Sequence, residues 1–269
     1  MQFNDSSLWD IAPDGTATEL VTGLNSSQGL DWGGGTGYGD YLYCTSNSNI
    51  YEIGLDGSVS VFTYHWCAGG LAIDITGNYG GYMYTSTGCQ DHIYEIDFSG
   101  NDSMFSDWPT WIDGGGPQDI CFDSTGRYGG QMFVATDFIE SQSHVSGVFA
   151  LDTLGNATRF TNEIVAARTI AFDEYGLFGN DMFVVGTSSF EGIAKIWRVQ
   201  TDGTATGFAD VLQTSPMNIA FGSDGAMYVA EYSSADELVT VSRIMPIADT
   251  PKIYHVDGVG GDNGNDGLT

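Results

Sequence analysis

Short runs rich in apolar and aromatic residues follow one another along the chain, broken by Gly, Asp and Asn, and no segment of useful length has helical spacing. That pattern predicts strands and turns rather than helices. The segment Ile50-Tyr-Glu-Ile-Gly-Leu-Asp-Gly57 joins one such run to an Asp-Gly turn, and it returns as Ile93-Tyr-Glu-Ile-Asp-Phe-Ser-Gly100. Further copies are Leu8–Gly15, Val148–Gly155 and Ile196–Gly203, with a degraded one at Val241–Ile244. The closing glycines stand at 15, 57, 100, 155 and 203, so one unit recurs at intervals of 42 to 55 residues. Repeats of that length point to a propeller or a solenoid.

Each unit carries three more runs. A weak strand follows the turn (Ser58–Phe62, Ala205–Phe208). A strongly apolar run comes next, as in Gly70–Asp74, Asp119–Asp123, Thr169–Asp173 and Asn218–Gly222. A Gly-rich turn then leads to an aromatic strand, as in Tyr82–Thr85, Gln131–Val134, Asp181–Val184 and Ala226–Val229. Four strands in a unit of about 40–50 residues make a propeller blade. The predicted fold class is therefore an all-β propeller of four-stranded blades, with the run ending in Asp nearest the axis and no more exposed than the Ile-Tyr-Glu-Ile strands. Met1–Asp5 matches the strand Met227–Glu231, so the chain is expected to open inside a blade, as a fragment of a longer parent. Six blades are favoured, one of them composite and completed by the C-terminal segment; five is the alternative. The propeller is expected over residues 1–250. Residues 251–269 read as a linker or as the remnant of a following domain, because Tyr254-His-Val-Asp257 and Gly261–Thr269 resemble the opening of a right-handed parallel β-helix.

Charge narrows the possible partners. Seven basic residues against 35 acidic ones give a net charge of −28. Nucleic-acid affinity rests on Lys and Arg neutralising phosphates, so a polynucleotide partner is excluded, and so is an anionic membrane surface. No run approaches the ~20 apolar residues that a spanning helix needs. A monomer is expected. The four cysteines show no zinc-type spacing. Cys67 precedes an inner strand and Cys89 follows the next strand of the same blade, so both emerge on one face. A Cys67–Cys89 bridge and four free thiols are both compatible with this, while Cys44 and Cys121 read as buried thiols inside strands. Met1 onward lacks the basic and apolar stretches of a signal peptide. The bridge and the β-helix-like tail would both place the parent in an extracellular or periplasmic setting.

The blade pattern over residues 1 to about 245 resembles the NHL-like and gluconolactonase-like propellers, a group that includes lactonases, paraoxonase and diisopropyl fluorophosphatase. The resemblance implies a calcium ion in the central tunnel, held by Glu, Asn and Asp side chains at the starts of inner strands. Gly116-Pro-Gln-Asp-Ile120 resembles that family's Gly-x-Asn-Asp-Leu, and Ser215-Pro-Met-Asn-Ile219 its Pro-Asn-Gly-Ile. The implied metal positions are Gln28, Gln118, Asp119 and Asn218. Gly69 and Arg168 fall at equivalent places, and a guanidinium repels a cation.

The loops that lead into the inner strands share a face with those after the second strands. That face is expected to gather Trp66, Trp108, Trp111, Glu163 and Glu231 as substrate-binding residues, with His65, Asp119 and Arg168 as catalytic candidates. Aromatics with a few convergent polar groups suit a small-molecule or glycan ligand. His65 titrates near neutrality and Arg168 suits a developing oxyanion. Each has a plainer reading, as a loop polar residue and as the ion-pair partner of Asp119 or Glu163. At the inner turns, Asp74, Asp123 and Asp173 fit either simple turn formation or a structural calcium. Two main functions are open: hydrolysis of small esters, lactones or phosphotriesters in the funnel, and a non-catalytic extracellular module binding glycan or protein. A streptogramin-lyase-like activity is a third.

Overall fold

The computed structural model describes residues 6–12, 14–24, 27–46, 48–87, 91–107, 116–136, 146–188, 194–210, 215–233, 238–246 and 252–256. Strands β1 (Ser6–Ile11) and β2 (Ala17–Leu24) form a two-stranded sheet. The first four-stranded sheet holds β3 (Ser27–Trp32), β4 (Leu42–Ser46), β5 (Asn49–Ile53) and β6 (Val59–Tyr64). The second holds β7 (Ala68–Ile73), β8 (Met83–Thr87), β9 (His92–Ile96) and β10 (Asp102–Asp107). The third holds β11 (Asp119–Phe122), β12 (Met132–Thr136), β13 (Gly147–Leu151) and β14 (Ala157–Arg159). The fourth holds β15 (Ala166–Phe172), β16 (Met182–Thr187), β17 (Lys195–Val199) and β18 (Ala205–Asp210). The fifth holds β19 (Ser215–Phe221), β20 (Met227–Ser233), β21 (Leu238–Met245) and β22 (Lys252–Val256).

All neighbours within a sheet are antiparallel and follow chain order, and the inner strands β3, β7, β11, β15 and β19 pack successively against one another. This is the expected propeller. Five complete blades stand among the described residues, which is the alternative count rather than the favoured six. The C-terminal segment was expected to complete a composite blade. Instead Lys252–Val256 pairs with β21 as the outer strand of the fifth sheet. Residues 1–5 and 257–269, on which the composite blade and the β-helix reading rest, lie outside the described residues.

The inner strands are not uniformly the most buried. All six residues of β7 are buried, but Asp119 and Cys121 of β11 are only half-buried. Every residue of the second strands β8 and β12 is buried. A second strand has a strand on either side and a blade on either face, whereas an inner strand leaves one edge on the channel. The side chains on that edge keep water. Leu30 and Trp32 on β3 are 46% and 38% exposed, where Leu71 and Ile73, their counterparts on β7, are 4% and 2%. These positions face the preceding blade, and only the two-stranded sheet stands before β3.

One tyrosine per inner turn fastens each blade to the next. The Tyr79 hydroxyl donates to the Leu151 carbonyl at 2.6 Å and accepts from the Met132 N–H at 3.0 Å, both on the following blade. Tyr128 joins Val199 and Met182 in the same way, and Tyr38 joins Ile96 and Met83. Phe178 takes this place in the fourth blade and packs on Phe221 without a hydroxyl. The turns around Tyr79 and Tyr128 are each wound on a buried aspartate. Asp74 accepts from the N–H groups of Thr76, Gly77, Tyr79 and Gly81. Asp123 does so from Thr125, Tyr128 and Gly130. With both oxygens committed to backbone donors, Asp74 and Asp123 act as turn anchors.

The repeat glycines serve a third joint. Gly57, Gly100, Gly155 and Gly203 all have φ between 80° and 85°. A β-carbon at Gly57 would also stand 2.8 Å from the Leu20 carbonyl on the outer strand of the preceding sheet. Only glycine meets both demands.

Replacing Tyr79 by Phe leaves a buried N–H and a buried carbonyl without their partner. We expect a loss of about 1–3 kcal/mol in urea unfolding, against no measurable loss for Tyr41→Phe at a site 40% exposed. Equal effects would mean that the staple carries no stability.

Cys44 and Cys121 are free and Cys67 is disulfide-bonded; its expected partner, Cys89, lies outside the described residues. Thiol titration of the denatured, unreduced chain should therefore find two thiols rather than four.

Candidate functional site in the central channel

Four of the five inner strands, β3, β7, β15 and β19, begin with β-bulges, which place extra residues at the channel mouth. Two residues oppose one where Gln28 and Gly29 face Thr45, where Gly69 and Gly70 face Ser86, and where Arg168 and Met217 enter β15 and β19. A bulge unpairs one residue and re-aims its side chain. Arg168 is exposed accordingly, between buried Ala167 and Thr169. The equivalences inferred from spacing among Gln28, Gly69 and Arg168 thus have a backbone cause.

Small residues draw the first three inner strands together. The Gly70 N–H donates to the Gln118 carbonyl of the next blade at 3.0 Å and to Ser86 Oγ at 2.7 Å. Ser86 Oγ in turn donates to the Gln118 carbonyl at 3.3 Å. One blade earlier, Thr45 Oγ1 accepts from the Gly29 N–H and donates to the Gly69 carbonyl, each at 2.7 Å. A β-carbon at Gly70 would stand 2.8 Å from Asp119 Cα. These glycines therefore permit close approach of strands and leave no ligand space of their own.

Two carboxyl groups line the channel. Asp119 Oδ1 accepts from the Ile120 N–H at 3.0 Å, and Oδ2 from the Ile170 N–H of the next inner strand at 2.9 Å. Its carboxyl also bonds Thr169, whose hydroxyl donates to Asn218 Oδ1 at 3.0 Å. Three successive blades are thereby linked through Asp119, Thr169 and Asn218. Asp31 caps the next strand in the same manner, accepting from the Ile73 N–H at 2.7 Å. Both groups touch channel water yet are ringed by protein, and this poor solvation pushes each up to about 6. For Asp31 the charges of Glu174 and Asp119 add to the rise. Burial raises the Cys121 thiol as well, and the same carboxylates add to it. Perturbed carboxyls in a channel mark a candidate site for acid–base chemistry.

The structure separates the other expected residues. His65 is 5% exposed, with Nε2 3.6 Å from Asp102 Oδ2 on β10 and its ring 4.4 Å from that of Tyr94 on β9. It lies against outer strands rather than the channel, and burial lowers its pKa despite Asp102. Trp66 is 54% exposed beside it. Glu163 is exposed and accepts from the Thr161 hydroxyl, which holds its carboxyl below the ordinary range. Glu231 is buried in β20, near the Ser242 hydroxyl. Trp108 and Trp111 lie outside the described residues. Sequence reasoning missed Asp31. Its signal was a carboxylate on an inner strand where the equivalent residues are Ala72, Cys121, Ala171 and Ala220. At the opposite end of the channel a cleft of about 470 Å³ opens between the inner turns of the second and third blades, bordered by Ile75, Asn78 and Ser124.

The implied calcium can be tested against these donors. The Asp119 and Asn218 oxygens already accept hydrogen bonds, Asn218 Oδ1 also from the Ile219 N–H at 2.7 Å. Gly69 offers no side-chain oxygen and Arg168 brings a positive charge. Among the described residues no three His, Cys, Asp or Glu side chains gather in a metal-binding group. The residues present do not fit the ion.

The fold and this channel define a propeller protein with ionisable groups on its axis. No family model and no curated protein matches the chain, but solved propellers do. The chain is similar to a gluconolactonase from Xanthomonas campestris, at 14% identity over 80% of this chain and 71% of that one, with a TM-score of 0.61. It is similar to the virginiamycin B lyase of Staphylococcus aureus solved with quinupristin, at 17% identity over 94% and 78%, TM-score 0.58. It is equally similar to a chain of a nidogen–laminin complex, at 13% identity over 87% and 81%, TM-score 0.64. Enzymes and a protein-binding partner share this fold, so function must be argued from the site.

The pKa shifts set a sign for stability. The folded state holds the Asp31 and Asp119 protons up to about pH 6, while the ordinary carboxyl value is 3.8. Their protonation therefore stabilises the fold fully below about pH 4, and that contribution is lost as pH rises through 6. Relative to the parent, Asp31→Asn should gain stability between pH 4 and 7 in unfolding titrations. A constant difference across that range would contradict the raised value.

Proposed function

We propose that the channel is the active site of a hydrolase for small esters or lactones, with Asp119 as general base. What supports this reading most is the placement of the Asp119 carboxyl: water-accessible, fixed by two backbone N–H groups and Thr169, and titrating near 6. A base of that strength is half-ionised close to neutrality and still accepts a proton readily. In the proposed step a channel water gives its proton to Asp119 while its oxygen attacks the acyl carbon. The carbonyl oxygen becomes negative and faces Arg168, which follows Ala167 into the channel mouth. The acyl C–O bond then breaks, and the proton held by Asp119 passes to the departing alkoxide. The similarity to a gluconolactonase agrees with lactone chemistry in such a funnel.

A panel of aliphatic lactones and aryl esters tests the proposal. The rate should rise with pH through about 6, and Asp119→Asn should lower kcat by about 100-fold or more with the fold intact by circular dichroism. Full activity in that variant, or no turnover of any member, would refute it. A second reading is favoured by one observation: Tyr64 at the end of β6 and Trp66 in the loop that follows, 65% and 54% exposed, stand close in sequence to the bridged Cys67. Such a rigid aromatic platform suits a glycan or protein ligand, and the loss of binding in Trp66→Ala would support it.

A further inference from the structure

The equivalence of inner-strand positions permits an inference beyond the catalytic reading and independent of it. We infer that Thr169 and Arg168 close the axis of this propeller to a divalent cation, and that hydrogen bonds do there what a metal would do.

Calcium takes six to eight oxygens at about 2.3–2.6 Å. The side-chain oxygens near the start of the inner strands belong to Gln28, Gln118, Asp119 and Asn218. Thr169 stands between the last two and is 2% exposed. Its hydroxyl donates its one proton to Asn218 Oδ1 at 3.0 Å and also lies in hydrogen-bonding reach of the Asp119 carboxyl, so one small side chain fills the space between the two groups. The N–H groups of Ile120 and Ile170 occupy one lone pair on each Asp119 oxygen, and that of Ile219 a lone pair on Asn218 Oδ1. A cation would have to displace these donors, and buried N–H groups left without acceptors are costly. Arg168 adds charge repulsion from the bulge next to Thr169. The linkage of three blades that a shared ion would supply is made instead by Asp119, Thr169 and Asn218.

The full chain, dialysed against a chelator, is titrated with calcium chloride by calorimetry and by equilibrium dialysis. With a net charge of −28, weak binding at the surface is expected, so Asp119→Asn is measured alongside. Binding that is absent below about 1 mM, or that is the same in Asp119→Asn, supports closure of the axis. Stoichiometric binding that is tighter than this and lost in Asp119→Asn overturns it. The double variant Arg168→Asn with Thr169→Ala removes the proposed barrier. It should bind calcium at least about tenfold more tightly than the parent, and that gain should vanish when Asp119→Asn is added. A folded double variant with unchanged affinity would also overturn the inference, since these two residues would then not be what excludes the ion.

Discussion

The whole arrangement depends on the tyrosine hydroxyl that leaves its own inner turn and enters the backbone ladder of the next blade. A propeller has no continuous sheet to hold it together, so blade-to-blade adhesion must come from side chains. Hydrophobic seams supply most of the area, yet apolar packing is non-directional and would tolerate sliding. A hydroxyl that accepts from one strand and donates to its neighbour, as Tyr79 does to Met132 and Leu151, fixes height and angle together. The turn that carries it is rigid because Asp74 collects four of its N–H groups. Register within each blade and register between blades thus have one origin.

That rigidity is what makes a channel site conceivable. Carboxyl groups on flexible loops would find water and ionise at their ordinary values. Asp31 and Asp119 cannot retreat from the axis, because each is tied to an N–H on the following inner strand. The tie itself favours the carboxylate, but burial among the inner strands outweighs it and holds the proton. Proton affinity near neutrality is then a property of the scaffold. The cost falls on folding, since both carboxylates would be more stable in the unfolded chain at pH 7.

The fold was legible because each blade writes the same message: an apolar run, an Asp, a Gly-rich turn with Tyr or Phe, and an aromatic strand. Strand type, order and pairing all followed from it. Blade count was harder, since Lys252–Val256 reads as a sequence that could begin a new unit, and only pairing with β21 shows that it ends one. The site was partly legible. Asp119 and Asn218 could be placed on the axis by spacing from the turns, but their partnership needs Thr169, whose hydroxyl looks like any other in an inner strand. His65 misled, because a loop histidine at a channel-facing junction gives no sign that Tyr94 and Asp102 on the outer strands will claim it. Asp31 was overlooked because spacing directed attention to strand starts, and Asp31 lies further down.

Phe178 gives the ring one joint of a different kind. Where the inner turns of the first three blades present a hydroxyl, this one offers only a ring face against Phe221 and Phe183. Contact between rings changes little in energy over a few degrees of rotation, whereas a hydrogen bond weakens steeply with misalignment. The joint between the fourth and fifth blades therefore rests on ring contact at the turn and on the Thr169–Asn218 hydrogen bond at the axis, so the oxygen missing at position 178 has its replacement at the other end of the channel.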